Sequence, residues 1–180
     1  MAGGLKEVRE RIVSVQNTKQ ITSAMKMVAA AKLRRAQEAI TRMRPYAEKL
    51  QAVLSNVSDS LDAGEGVFSE KREVKHVLYV AITSNRGLCG GFNNNIIKAV
   101  RKGMQQTDAT CHVLPLGKKA NDAFEKNPNL APVGFEEDAW QIFDELNFDR
   151  AQTVAEHIMA QFEGGQYDEV KIVYNRFVNA

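Results

Sequence analysis

Along the first third of the chain the apolar positions follow one register, with steps that alternate between three and four residues. The register passes through Leu5, Val8, Ile12 and Val15, then Lys19, Thr22 and Lys26. It continues through Ala29, Leu33, Ala36, Ile40, Met43, Ala47, Leu50, Leu54, Val57 and Leu61. This is the a/d spacing of a coiled coil. A helix over that span is about 85 Å long at 1.5 Å per residue, well beyond an ordinary globular helix. Alone it cannot cover its own seam, so the pattern implies a helical partner. Pro45 lies inside the span, and an interior proline costs a helix about 3 kcal/mol. The register nevertheless carries from Met43 to Ala47 and Leu50. We therefore expect a bend or a locally frayed turn at Pro45, not two helices.

Three seam positions are polar: Lys19, Thr22 and Lys26. Polar groups there lose hydration without a matching partner. In the same interval Ile21, Met25 and Val28 move to another face. The middle of the helix thus offers an apolar patch ringed by cations to something other than the seam's partner. A local irregularity in a coiled coil is the plainer alternative. It explains less, because the apolar residues rotate instead of disappearing.

From Asp62 to Lys75 the chain has glycines, charge and no period, which reads as a linker. Beyond it the pattern changes. His76–Thr83 (HVLYVAIT) and Thr110–Leu116 (TCHVLPL) are short apolar runs expected to be buried strands, and Glu169–Tyr174 (EVKIVY) is a third. Helices are expected over Phe92–Met104, with Ile96, Ile97 and Val100 inward, over Gly117–Lys126, and over Asp138–Leu146. A further helix is expected over Arg150–Phe162, with Ala151, Val154, Ala155, Ile158 and Phe162 inward. The two prolines in 127–134 mark a loop. Strand–helix alternation predicts an α/β fold with a mostly parallel sheet. The expected organisation is a coiled-coil helix over 1–62, a linker over 63–75 and a Rossmann-like domain over 76–180.

Charge sharpens this division. Residues 1–50 carry 11 Lys/Arg and 4 Asp/Glu, a net of +7, while the remaining residues net −5. A cationic rod on a mildly acidic body can meet nucleic acid, an anionic membrane or an acidic protein surface. Cys89 and Cys111 show no metal or redox spacing, so a reducing compartment is expected. No apolar run reaches the length of a membrane span. The opening MAGGLKEVRERI has no signal-peptide core.

The stretch Ser84–Asn95 follows a strand and opens a helix, where a phosphate cradle would sit. Its glycines, Gly87, Gly90 and Gly91, read G-x-x-G-G instead of G-x-G-x-x-G, and no Gly-Lys-Ser/Thr follows. The glycines are better read as allowing close helix packing and positive φ. Arg86 and Leu88 then stand exposed at the tip of a contact loop. His76, His112 and His157 lie on three elements without ligand spacing. Glu136, Glu137 and Asp138 suit a helix N-terminus better than a catalytic pair. Cys89 lacks a nameable base and reads as a small buried residue. Lys32, Arg34, Arg35, Arg42 and Arg44 could bind phosphates, but no aromatic interleaving accompanies them.

Taken together, VQNTKQITSAMKMVAAAKLRRAQ, RPYAEKL and ITSNRGLCGGFN closely resemble the γ-subunit family of F-type ATP synthases, in order and over essentially the whole chain. The most specific parts are Gln16–Gln37 and Arg86–Asn93. The resemblance implies a non-catalytic rotor that binds neither cofactor, nucleotide nor nucleic acid. It implies a central stalk coupling rotation of the membrane c-ring to ATP synthesis or hydrolysis. The implied partners are the α and β subunits of the catalytic ring, the ε subunit, the c-ring, and the family's own C-terminal helix, absent from these 180 residues. By similarity the surface facing the catalytic ring comprises Ile21, Met25, Lys26, Val28, Arg34, Arg35, Arg86 and Leu88. The implied location is the cytoplasmic face of a bacterial inner membrane, on a peripheral complex. The rival expectation is a stand-alone nucleotide-binding α/β enzyme with a basic helical arm.

Overall fold

The computed structural model describes residues 2–60, 66–70, 72–126 and 139–178. By its contacts the chain divides into two compact units, Met1–Asp62 and Ala63–Ala180.

The first unit is one helix, α1, Ala2–Ser60. Strong helix formers from Ala24 to Ala39 favour it locally, and three threonine hydroxyls find their acceptors in its own backbone. Thr18 Oγ1 donates to the Ser14 carbonyl (2.9 Å), Thr22 Oγ1 to Thr18 (2.8 Å) and Thr41 Oγ1 to Gln37 (2.8 Å). Of the bend or frayed turn expected at Pro45, the frayed turn does not occur: α1 is helical on both sides of it and through it. The ring's fixed φ suits a helix, and the missing donor removes only the bond to the carbonyl four residues back.

The second unit is a three-layer α/β fold. Its elements are β1 (His76–Ile82), α2 (Phe92–Gln105), β2 (Thr110–Leu116), α3 (Lys118–Phe124), α4 (Phe148–Glu163) and β3 (Glu169–Val173), with 3₁₀ turns at Val67–Ser69 and Ala139–Gln141. The sheet is wholly parallel, in the order β2-β1-β3. His76 to Ile82 pair with Thr110 to Leu116, and Val77 to Ala81 with Glu169 to Val173. Alternation along β1 fixes the layers. Val77, Tyr79 and Ala81 face α2 and α3, packing on Ile96, Ile97, Val100 and Phe124. Leu78 and Val80 face the other side, with Ala139, Ile142, Tyr167 and, from α4, Val154 and Ile158. A strand buried on both faces must be apolar throughout, which is why HVLYVAI lacks polar alternation.

Two helix expectations are corrected. Asp138 lies outside the described residues, and Ala139–Leu146 is not a helix but a 3₁₀ turn at Ala139–Gln141 followed by turns. The Trp140 carbonyl accepts from Gly117 N at 3.0 Å, so a tertiary bond at the end of β2 holds this segment off a helical path. In α4 the expected inner face is only half covered. Val154, Ile158 and Phe162 are half-buried, Ala151 and Ala155 are exposed, and no residue is fully buried. The sheet beneath is narrow, and its strand β3 is itself mostly half-buried. The loop expected at 127–134 and the acidic cluster Glu136–Asp138 lie outside the described residues.

Candidate functional site

The long helix presents its seam without cover. Leu5, Val8, Ile12, Val15, Leu33, Met43, Leu50, Leu54 and Val57 are 45–69% exposed, and Ile40 is half-buried. Leu61 lies outside the described residues. Burying such a side chain is worth about 1.5–3 kcal/mol, so most of the helix's apolar surface is unspent. In the middle stretch Ile21, Met25 and Val28 are 56–67% exposed, and Met27, which the spacing did not single out, joins them. Lys26, Arg34 and Arg35 are also exposed. Arg34 Nε pairs with Glu38 Oε1 at 2.9 Å, one turn along, a contact worth only a few tenths of a kcal/mol. Thr22, a polar position of the seam, is satisfied by the helix's own backbone.

The second candidate surface is the loop from Thr83 to Gly91, at the carboxyl end of β1. It is organised by Asn93, a buried polar residue in the first turn of α2. Asn93 Oδ1 accepts from Ser84 N (2.9 Å) and Ser84 Oγ (3.1 Å), and its Nδ2 donates to the Arg86 carbonyl (3.1 Å) and lies 3.1 Å from Cys89 Sγ. Ser84 Oγ also reaches the Arg86 carbonyl at 2.6 Å. The loop folds back on its own side chain, and its tip is pushed outward. Leu88 is fully exposed at φ +58°, and Arg86 is exposed beside it. Positive φ costs a branched side chain strain of order 1–3 kcal/mol. Of the three loop glycines only Gly90 needs such a φ, at +59°. Cys89, expected to be buried, is exposed, whereas Cys111 is buried. The difference follows from place: Cys111 lies on β2 in the core and Cys89 in the outward loop.

Asn93 escaped the spacing argument, yet a signal was present. It sits four and seven residues before Ile97 and Val100, on the same inward stripe. Asn85 and Thr83 were missed as well. Asn85 Nδ2 donates to Asp144 Oδ1 (2.8 Å), its Oδ1 accepts from Lys118 N (3.0 Å), and Thr83 Oγ1 accepts from Ala120 N (2.8 Å). These bonds tie the ends of β1 and β2 together. The loop's polar groups thus serve one another.

At the opposite end of the sheet Asp168 Oδ2 accepts from Lys75 N (2.9 Å) and His76 N (2.8 Å), which holds its carboxyl below the usual range. The His112 pKa is pushed down by burial and by nearby His76. Its Nδ1 is buried without a hydrogen-bond partner, and its ring meets Tyr167 edge-on at 5.7 Å. Burial raises the Cys111 thiol, which makes a poor nucleophile. Among the described residues no three His, Cys, Asp or Glu side chains cluster to hold a metal ion. No helix there is long and apolar enough to cross a membrane.

Comparison with known proteins accounts for a chain of this kind. The family model described as ATP synthase matches residues 4–180. The ATP synthase gamma chain of Flavobacterium psychrophilum is 48% identical over 178 residues. The chain belongs to the ATP synthase gamma-chain family. The gamma chain of Flavobacterium johnsoniae is 50% identical over 182 residues, and that of Christiangramia forsetii 49% over 179. In each match 98% of this chain is covered, but only 60–61% of the relative. This gamma-chain sequence thus spans about three fifths of the curated relatives' length.

Proposed function

We propose that the chain is the N-terminal part of the central-stalk rotor of an F-type ATP synthase. In this role it is non-catalytic. Helix α1 forms half of a shaft whose other half is the family's C-terminal helix. The α/β unit forms the foot, beside the ε subunit and the membrane c-ring. Rotation of the c-ring turns the shaft inside the ring of α and β subunits, on the cytoplasmic face of a bacterial inner membrane. A rotor does this only through contacts that differ between the states of each catalytic site. The contacting groups are Ile21, Met25, Lys26, Val28, Arg34 and Arg35 on α1, and Arg86 and Leu88 on the loop.

One observation carries the proposal: a single 59-residue helix keeps a largely exposed apolar seam on both sides of its polar positions Lys19, Thr22 and Lys26, in a chain of this family. The exposed tip at Arg86 and Leu88, with a glycine spacing that is not G-x-G-x-x-G, favours a contact role over a nucleotide cradle. Co-expression with tagged β and untagged α subunits tests the proposal. The complete gamma chain is expected to co-purify with the ring, and Met25→Asp with Ile21→Asp to weaken retention at least tenfold. Equilibrium dialysis of the 180-residue chain against ATP and NAD is expected to show no binding. Clear binding of either would overturn the rotor-only assignment in favour of a nucleotide-binding enzyme.

A further inference from the structure

The segment that enters β1 is not a free linker. It is fastened at two points to the corner between α4 and β3. At the first, the Phe68 ring stacks on Phe162 with centroids 5.9 Å apart and planes 24° apart. The Arg72 guanidinium lies over the same Phe162 ring, 4.7 Å from its centroid. Its Nη1 donates to the Phe162 carbonyl at 2.8 Å, and its Nε to Glu70 Oε2 at 3.0 Å. The Arg72 side chain is 19% exposed. A cation on the last turn of a helix is favoured by the helix dipole, and its position over the ring adds a cation–π contact. At the second point the Asp168 carboxylate takes the N–H groups of Lys75 and His76, while Asp168 N donates to the His76 carbonyl at 2.9 Å.

The first fastening lies outside the core. Neither Phe68 nor Arg72 belongs to either apolar cluster, and Phe68 is more than half exposed. The clamp fixes where the chain enters the α/β unit. Each unfastened residue contributes two soft backbone dihedrals, and a soft tether absorbs torque as rotation. Two fastenings, on Phe162 and on Asp168, hold Phe68, Arg72, Lys75 and His76 in place.

We propose that this two-point clamp is the joint through which the α/β unit passes force to the chain entering it, with Arg72 and Asp168 as positioning residues. The inference rests on the rotor function proposed above. It is tested in the assembled ATP synthase containing the complete gamma chain, by measuring ATP hydrolysis and ATP-driven proton pumping together. Arg72→Ala combined with Asp168→Ala is expected to keep hydrolysis within twofold of wild type while protons pumped per ATP fall at least twofold. Arg72→Lys keeps the charge but loses the planar fork, and it is expected to lower the ratio as well. A ratio that stays at the wild-type value overturns the clamp, and so does an equal fall in hydrolysis and pumping. Should the double variant fail to assemble, Phe68→Ala carries the same test, because that side chain lies outside both core clusters. If wild-type pumping does not depend on the chain at all, the rotor function fails instead, so the two failures are distinguishable.

Discussion

Gly117 ends β2 at φ +109°, and a Cβ placed there would stand 2.2 Å from the Thr83 carbonyl oxygen. That oxygen is backbone and cannot swing aside. Gly117 N also holds the Trp140 carbonyl, so the glycine cannot retreat without releasing the 3₁₀ turn. Gly117→Ala is therefore expected to destabilise the α/β unit by about 2–3 kcal/mol, the scale of a forced backbone strain. The check is a lower urea midpoint with an unchanged slope. Gly87 is the control: its φ is not positive and nothing lies within 4 Å of its added Cβ. Gly87→Ala is expected to stay within about 0.5 kcal/mol of wild type. A Gly117→Ala loss as small as this would mean that the β1 end yields, contrary to the bonds that Thr83 makes with Leu116, Gly117 and Ala120.

Helix α1 and helix α2 differ in what they have buried, and hydrogen exchange should separate them. Ile96 and Val100 of α2 are almost wholly buried, while no α1 residue whose burial is described is fully buried. Long helices draw most of their stability from packing on a partner. In the 180-residue chain the α1 amides are expected to exchange at least a hundredfold faster than those of β1 and α2. Strong protection across Leu5–Val57 in a monomer would refute the need for a partner helix. The same contrast explains what the sequence disclosed. The seam, the three strands and α2 were legible because each pattern reports a covered or coverable face at its own period. The turn at Ala139–Gln141 was not, because a bond from Gly117 decides it. Nor was the docking of Phe68 and Arg72, whose partner Phe162 lies about ninety positions away. Asn93 among three consecutive asparagines was legible only by its phase relative to Ile97 and Val100.

For the whole molecule, two units imply two stabilities, and acid should act on one of them through identified groups. His112 and Asp168 both belong to the α/β unit. Unfolded, His112 takes up a proton near pH 6.5; folded, it does so only at lower pH, because of burial and nearby His76. In that window the unfolded chain binds more protons, so stability falls as pH falls. Asp168 repeats the sign lower down. Its unfolded carboxyl protonates near pH 4, while the two backbone N–H groups delay protonation in the fold. Its contribution is present above that pH and lost as pH drops through the folded value. Trp140 is the only tryptophan and lies in this unit, so its fluorescence reports the α/β transition without α1. Its thermal midpoint is expected to drop between pH 7 and 5.5 and again below pH 4. His112→Leu, which fills the same half-buried place with an apolar group, should abolish the first drop and spare the second. Asp168→Ala should lower the midpoint at neutral pH and flatten the second. A first drop that survives in His112→Leu would assign that titration to another group.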